Sequence, residues 1–285
     1  MSAEEPGPAV PEDGKNYAKN RVTVSRTKRG TEYMSRMKCG LLGKKLGHSW
    51  SPRIHRDLGD YEYLLYERQE EEIPDFLRNG DWHGMNVTIP YKKTVIPFMD
   101  ELSPTAKELG SVNTVVRRED GSLWGDNTDV YGFEAMVRYF GFGVGGKKTL
   151  VLGSGGASVS VQAALKRLGA DPVIVISRSG EYNYQNLELQ SDAQYVVNTT
   201  PVGMYPETEA SPLDLRELPA CRGVMDIIYN PPETRLMKQA AEMGLPVCNG
   251  LYMLVAQAWR SAEQFLGESI PESQVEKIYQ DMTRG

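Results

Sequence analysis

Leu150-Val151-Leu152-Gly153-Ser154-Gly155-Gly156-Ala157 is the stretch that decides the fold. An apolar run of strand length leads straight into glycines and then into Ala157 to Leu168, whose pattern is helical. That order sets backbone N–H groups and the positive end of a helix dipole where a pyrophosphate can lie. A glycine triplet alone also serves a plain tight turn. Here the strand before it, the helix after it and the βαβ spacing together assign nucleotide binding to Gly153, Ser154, Gly155, Gly156 and Ala157.

Downstream, Val173 to Ile176, Tyr195 to Asn198 and Gly223 to Ile228 read as further strands, apolar almost throughout. Such runs fit a parallel sheet covered on both faces. Where an NAD-binding domain usually ends its second strand with an acidic residue for the ribose 2′-hydroxyl, this chain has Ser177-Arg178-Ser179. A guanidinium and two hydroxyls suit a 2′-phosphate, so NADP is the expected cofactor, with NAD left open. The other reading of Arg178 is a solvated loop arginine.

Upstream, short apolar runs alternate with helical patterns: Cys39 to Leu42, Tyr61 to Tyr66, Gly84 to Thr88 and Asn113 to Val116 as strands. This is the signature of an α/β layer. Ser51-Pro52 reads as an N-cap followed by proline in the first turn, with Gly59 as the stop, and Ser103-Pro104 through Gly110 repeats the device. Near the end, Leu251, Leu254, Val255, Ala258, Trp259, Ala262, Phe265 and Leu266 form one stripe of an amphipathic helix that should cross back onto the first layer.

The expected architecture is α/β, an N-terminal substrate domain plus a Rossmann-type domain with a cleft between them. Residues 37 to 132 form the first, completed by 251 to 285, and residues 133 to 250 the second. Residues 1 to 36 carry Pro, Gly and charge without apolar periodicity, and Met34 and Met37 precede the first strand. They read as a disordered extension, or as a start taken too early.

At 285 residues and 40% hydrophobic content, two cores are affordable in size. A net charge of -6 without basic stripes argues against nucleic acid and anionic membranes as partners. Cys39, Cys221 and Cys248 are odd in number and far apart, as reduced thiols are, and the three histidines show no metal-ligand spacing. No apolar run approaches the roughly 20 residues of a membrane span, so a cytoplasmic monomer or homodimer is expected.

Chemistry gathers at three places. In His48-Ser49-Trp50-Ser51-Pro52, two hydroxyls precede a helix, where neutral donors and the dipole can hold a carboxylate, although Ser51 also serves as a simple N-cap. Lys92 follows Thr88 by four residues at a strand end, and Asp129 opens a helix after Asn127-Thr128; each alone is an ordinary surface charge or helix-start residue. Met253 and Gln257 lie one turn apart, opposite the apolar stripe, facing either solvent or a cleft. A lysine and an aspartate beside a dinucleotide are what hydride transfer with proton exchange requires.

Six ordered runs resemble the shikimate dehydrogenase family from about Cys39 to the carboxyl terminus: Gly47 to Pro52, Asn86 to Lys92, Ser111 to Thr114, Asn127 to Asp129, Asn198 to Met204, and Asn249 to Leu254 with Gln257. The resemblance implies reversible NADP-linked reduction of 3-dehydroshikimate to shikimate, a step of aromatic amino-acid biosynthesis. It also implies that Ser49, Ser51 and Tyr229 lie at the shikimate carboxylate, and that Thr88, Asn113, Asp129 and Gln257 hold its hydroxyls. Lys92 and Asp129 are then catalytic, with Gly250 and Met253 beside the nicotinamide. A lysine, with an ordinary pKa of about 10.4, is a poor base at neutral pH, so the implied role of Lys92 is to polarise the carbonyl and donate a proton. In the oxidation direction either member of the pair can accept the proton.

One departure matters. NADP-preferring members usually carry a second basic residue soon after the arginine, whereas here Gly180 is followed by Glu181-Tyr182-Asn183. An NAD-using quinate/shikimate dehydrogenase is the rival. A sensor that binds without turnover is the other, and it has no need of both Lys92 and Asp129.

Overall fold

The computed structural model describes residues 36–47 and 49–284. The expected extension lies outside them apart from Arg36, as does His48. In chain order the first half runs β1 (Lys38–Gly43), α1 (Ser51–Arg56), β2 (Glu62–Glu67), α2 (Ile73–Asn79), β3 (Gly84–Val87), β4 (Glu101–Leu102), α3 (Pro104–Leu109), β5 (Thr114–Arg117), β6 (Leu123–Asp126) and α4 (Asp129–Tyr139). The second runs β7 (Thr149–Leu152), α5 (Gly156–Arg167), β8 (Val173–Ile176), β9 (Tyr195–Asn198), β10 (Val224–Asp226), α6 (Arg235–Glu242), β11 (Val247–Cys248), α7 (Leu251–Leu266) and α8 (Ser273–Thr283).

Two sheets result, one mixed in the order β2-β1-β3-β5-β6-β4 and one in the order β11-β10-β9-β7-β8. In the first, β3 and β6 flank β5 antiparallel, while β1 runs parallel to β2 and β3. The second is parallel throughout. Its strand order reverses between β7 and β9, and the crevice beyond the carboxyl ends of strands at such a reversal is where open α/β sheets take ligands. Alternate residues serve opposite faces: Leu150 and Leu152 pack with Leu236 and Ala240 of α6, whereas Val151 packs with Val161 and Ala164 of α5.

The α7 helix has the expected limits and packs on α1, β3, β5 and α4, returning to the first layer. Its expected polar face is different. Tyr252, Met253, Ala256 and Ser261 are buried with the apolar stripe, because α4 and α8 cover the other sides. A side chain on Gly132 of α4 would reach 2.6 Å from the Met253 carbonyl, so the two helices nearly touch beside Gln257.

Other boundaries shift for local reasons. α1 starts at Ser51 rather than after it, Trp50 takes the cap position, and the helix ends at Arg56, short of Gly59. The Ser49 hydroxyl accepts from the Ser51 amide at 3.2 Å, so Ser49 satisfies the first turn and Ser51 is not the cap. Ser103 does cap α3, accepting from Ala106, and Gly110 ends it in the left-handed region. β10 stops at Asp226 because the Ile228 amide turns back to the Asp226 carboxylate. No helix among the described residues is long and apolar enough to cross a membrane.

Candidate active site

The sequence-predicted residues sit along one edge of each sheet. In the first, that edge holds the carboxyl ends of β1, β3 and β6 and the amino end of antiparallel β5, so Ser49, Thr88, Asn113 and Asp129 leave the sheet on one side. In the second it holds the ends of β7, β8, β10 and β11, followed by Gly153 to Ala157, Ser177 to Ser179, Tyr229 and Gly250.

Lys92 does not lie on a strand. After Thr88 the chain turns, and Tyr91, 1% exposed, pins that turn by donating from its hydroxyl to the Arg68 carbonyl at 2.6 Å. The Val112 amide then donates to the Lys92 carbonyl at 2.8 Å, tying the turn to the approach to β5. Lys92 is thereby held inward, and Lys93 is exposed because of the turn rather than strand alternation.

Lys92 Nζ donates to Asp129 Oδ2 at 2.5 Å, with the two side chains 21% and 13% exposed. Asn113 Nδ2 donates to Asp129 Oδ1 at 2.9 Å, and Asn113 Oδ1 accepts from the Thr128 amide at 2.7 Å and from the Thr114 hydroxyl at 3.0 Å. The Asp129 amide is met by Asn127 Oδ1 at 3.2 Å, so the carboxylate stands at the start of α4, where the helix dipole favours negative charge. Gln257 joins through the Thr128 hydroxyl, 3.4 Å from its Oε1. One hydrogen-bonded group thus contains Lys92, Asn113, Asp129 and Gln257, with Thr128 joining Asn113 to Gln257.

Behind this group lie residues that had no assigned role. Asn86 Oδ1 accepts from the Tyr63 hydroxyl at 2.8 Å, and Asn86 Nδ2 approaches Thr114 Oγ1 at 3.4 Å. Asn86 and Asn127 both fall inside the quoted runs, but only their buried partners distinguish them from strand-end polar residues. Burial pushes the Tyr63 phenol far up, with the Ser51 hydroxyl beside it opposing the shift.

Ser49 and Ser51 are joined at the start of α1, and Tyr229 reaches them only through Trp50. Trp50, between the two serines, meets Tyr229 with ring centroids 5.2 Å apart, so the loop after β10 closes over the start of α1. Burial raises the Tyr229 phenol, keeping it a neutral donor.

The glycine turn fits a dinucleotide phosphate. Gly153 has φ +100°, and a side chain there would stand 2.9 Å from Thr200 Cγ2. Side chains on Gly155 and Gly156 would meet nothing within 4 Å, so these positions border open space, and no side chain caps α5. A helix start of 12 residues without a protein cap, fronted by open glycine backbone, is a cradle for an anion. Arg178 is exposed at the end of β8, close enough to Tyr184 to act on its phenol. Gly250 is required by packing: a side chain there would collide with the Ile227 carbonyl. Met253 is buried one turn into α7. No group of three or more His, Cys, Asp or Glu among the described residues could hold a metal ion.

Comparison with known proteins agrees with this geometry. Residues 41–115 match the family described as shikimate dehydrogenase substrate binding domain. The chain is 35% identical over 264 residues to the shikimate dehydrogenase (NADP(+)) of Clostridium perfringens, covering 85% of this chain and 97% of that protein. It superposes with a TM-score of 0.78 on shikimate 5-dehydrogenase from Thermus thermophilus crystallised with NADP(H) and shikimate, at 30% identity, covering 86% of this chain and 99% of that one. The Listeria monocytogenes enzyme, in complex with shikimate and NAD, gives a TM-score of 0.78 at 26% identity, covering 90% and 99%. At 35% identity to a relative matched over 97% of its length, this chain belongs to the shikimate dehydrogenase family.

Proposed function

We propose that this protein is an NADP-dependent shikimate dehydrogenase, interconverting 3-dehydroshikimate and shikimate. The observation that carries the reading is the Lys92–Asp129 pair, held by Asn113 and linked through Asn127 to Ser160 of α5, the helix that the uncapped glycine turn opens.

The residues divide the work. Ser49, Ser51 and the neutral Tyr229 donate to the substrate carboxylate. Thr88, Asn113, Asp129 and Gln257 hold the ring hydroxyls. Bound NADPH supplies the hydride for reduction. Lys92 polarises the carbonyl as a cation and delivers a proton to its oxygen, so hydride and proton together make the secondary alcohol. Asp129 fixes the ammonium's position and, with it, the direction of that proton. Gly153 to Ala157 would carry the pyrophosphate, Ser177, Arg178 and Ser179 the 2′-phosphate, and Gly250 and Met253 would border the nicotinamide.

The substrate unit over residues 37 to 132 with 251 to 285, and the nucleotide unit over 133 to 250, then face each other across the reacting atoms. Three buried free thiols suit a reducing compartment, the cytoplasm. The active unit is a monomer or homodimer, which sedimentation distinguishes.

One observation favours a second reading: Glu181 stands in the Arg178 loop without a second cation, which would suit an NAD-using quinate/shikimate dehydrogenase. Cofactor reduction measured with shikimate and with quinate, each against NADP and NAD, decides. Turnover of shikimate with NADP above all other pairs is expected; preference for NAD would move the second reading ahead, and no turnover would overturn both.

A further inference from the structure

Asp226, at the end of β10, is fully buried, and every group bonded to it is a donor. Asn198 Nδ2 lies 3.1 Å from each carboxylate oxygen, the Thr234 hydroxyl donates to Oδ2 at 2.8 Å, and the Ile228 amide donates to Oδ1 at 3.0 Å. A carboxylate is acceptor-only, so it dictates which end of the Asn198 amide faces it. The nitrogen must point at Asp226, and the oxygen must point away.

That orientation is used. Asn198 Oδ1 accepts from the Thr200 amide at 3.0 Å and from its hydroxyl at 2.7 Å, curling the chain that follows β9. In the same loop the Thr199 hydroxyl donates to the Leu152 carbonyl at 2.6 Å, immediately before the Gly153 turn. Thr200 is the residue a side chain on Gly153 would strike, so this loop forms one wall of the crevice between β7 and β9. Asp226 bonds none of residues 199–203 itself; it reaches them through the Asn198 amide, whose Nδ2 also donates to the Val202 carbonyl at 3.3 Å, and through Thr234, 3.5 Å from where a side chain on Gly203 would stand.

We propose that Asp226 is a positioning residue for the dinucleotide: its carboxylate holds the Asn198 amide in one orientation and so sets residues 199–203 against the glycine turn. The inference rests on the cofactor reading above. Burial works against the device, raising the carboxyl to about 6, with the bonds from Ile228, Asn198 and Thr234 opposing that rise. From β11, Cys248 faces the carboxylate as a thiol whose own ionisation burial and Asp226 suppress; from β9 and α6 the facing groups are the uncharged Asn198 and Thr234. Protonation puts a donor among donors, so the wall loosens as pH falls through about 6.

The test is calorimetric titration of NADP into the full chain and Asp226→Asn, from pH 5.5 to 8, beside shikimate titration and melting temperature. Asparagine keeps one oxygen for the Ile228 amide, which spares the Tyr229 loop. Expected are an NADP affinity about ten-fold or more weaker at pH 8, shikimate affinity within about two-fold, and an affinity difference that shrinks toward pH 5.5. The 2′-phosphate titrates in the same range and cancels in the difference. Equal NADP affinity overturns the inference, as does parallel loss of NADP, shikimate and melting temperature. If Asp226→Asn does not fold, Asn198→Ser carries the same measurement and must show the same selective loss. A wild-type protein that binds neither NADP nor NAD overturns the cofactor reading itself.

Discussion

Asn113 and Asp129 are joined by a single hydrogen bond, Nδ2 to Oδ1 at 2.9 Å, which leaves the other carboxylate oxygen to Lys92. The carboxylate therefore cannot rotate without losing one partner. Because Asn113 Oδ1 is itself held by the Thr128 amide, the chain of constraint runs from the backbone of α4 to the ammonium.

Replacing Lys92 by Ala should lower kcat far more than it weakens shikimate binding, since its contribution is made as charge develops on the reacting oxygen. A general acid is worth about a hundred- to ten-thousand-fold. Lys93→Ala, at an exposed position of the same turn, serves as the control. Steady-state kinetics on both variants decide, and an unchanged kcat in Lys92→Ala removes the catalytic assignment.

Asn113→Ala strips the Thr128 amide of its acceptor and Asp129 of one donor, and kcat/KM for shikimate should fall by about ten- to a hundred-fold. Asn113→Asp should be worse despite its matching shape, because it sets a second carboxylate against Asp129. If the aspartate variant is the more active of the two, Asn113 does not act by donating to Asp129.

What could be read in advance follows from how local each signal is. Val151 and Val197 lie in apolar runs that form buried parallel strands, Val175 in an edge strand that is only half-buried, and Leu251 to Leu266 carries its own period. Leu123-Trp124-Gly125-Asp126 forms β6 with a glycine and an aspartate inside it, and β4 and β11 are two residues long. Such strands exist because a neighbour pairs with them, which no local pattern records. The same holds at the site. Lys92 and Asp129 were visible as residue types, but the turn pinned by Tyr91, and the helix α4 that covers Met253 and Gln257, are long-range facts. The Asn198–Asp226 contact spans 28 positions and leaves no trace in spacing.

Arg178→Ala should raise KM for NADP by about ten- to a hundred-fold and leave KM for NAD nearly unchanged, since only NADP has a 2′-phosphate for the guanidinium. The loop offers no second cation to take over, with Glu181 following Gly180. Equal loss with both cofactors would mean that Arg178 supports the loop or stacks on the adenine. Loss with neither would make it a bystander.

Two buried groups give stability a pH dependence of opposite sign. His55, 1% exposed with Nδ1 bonded to the Tyr61 hydroxyl at 2.7 Å, has its pKa lowered by burial to about 3. The unfolded chain binds that proton more readily, so His55's contribution is present above about pH 6.5 and is lost as pH falls toward 3. Asp226 runs the other way. Its pKa, raised by burial from 3.8 to about 6, means that the folded state holds the proton more tightly. Its contribution is full below about pH 4 and disappears as pH rises through 6, a change of about 3 kcal/mol for a shift of roughly two units. Subtracting the unfolding free energy of wild type from that of Asp226→Asn, by urea titration at pH 4, 5, 6 and 7.5, cancels His55 and the surface carboxylates. The variant should gain on wild type across that interval and level off above it. A flat difference would place the Asp226 ionisation outside the window, and a falling one would mean that the bonds from Asn198, Thr234 and Ile228 outweigh burial.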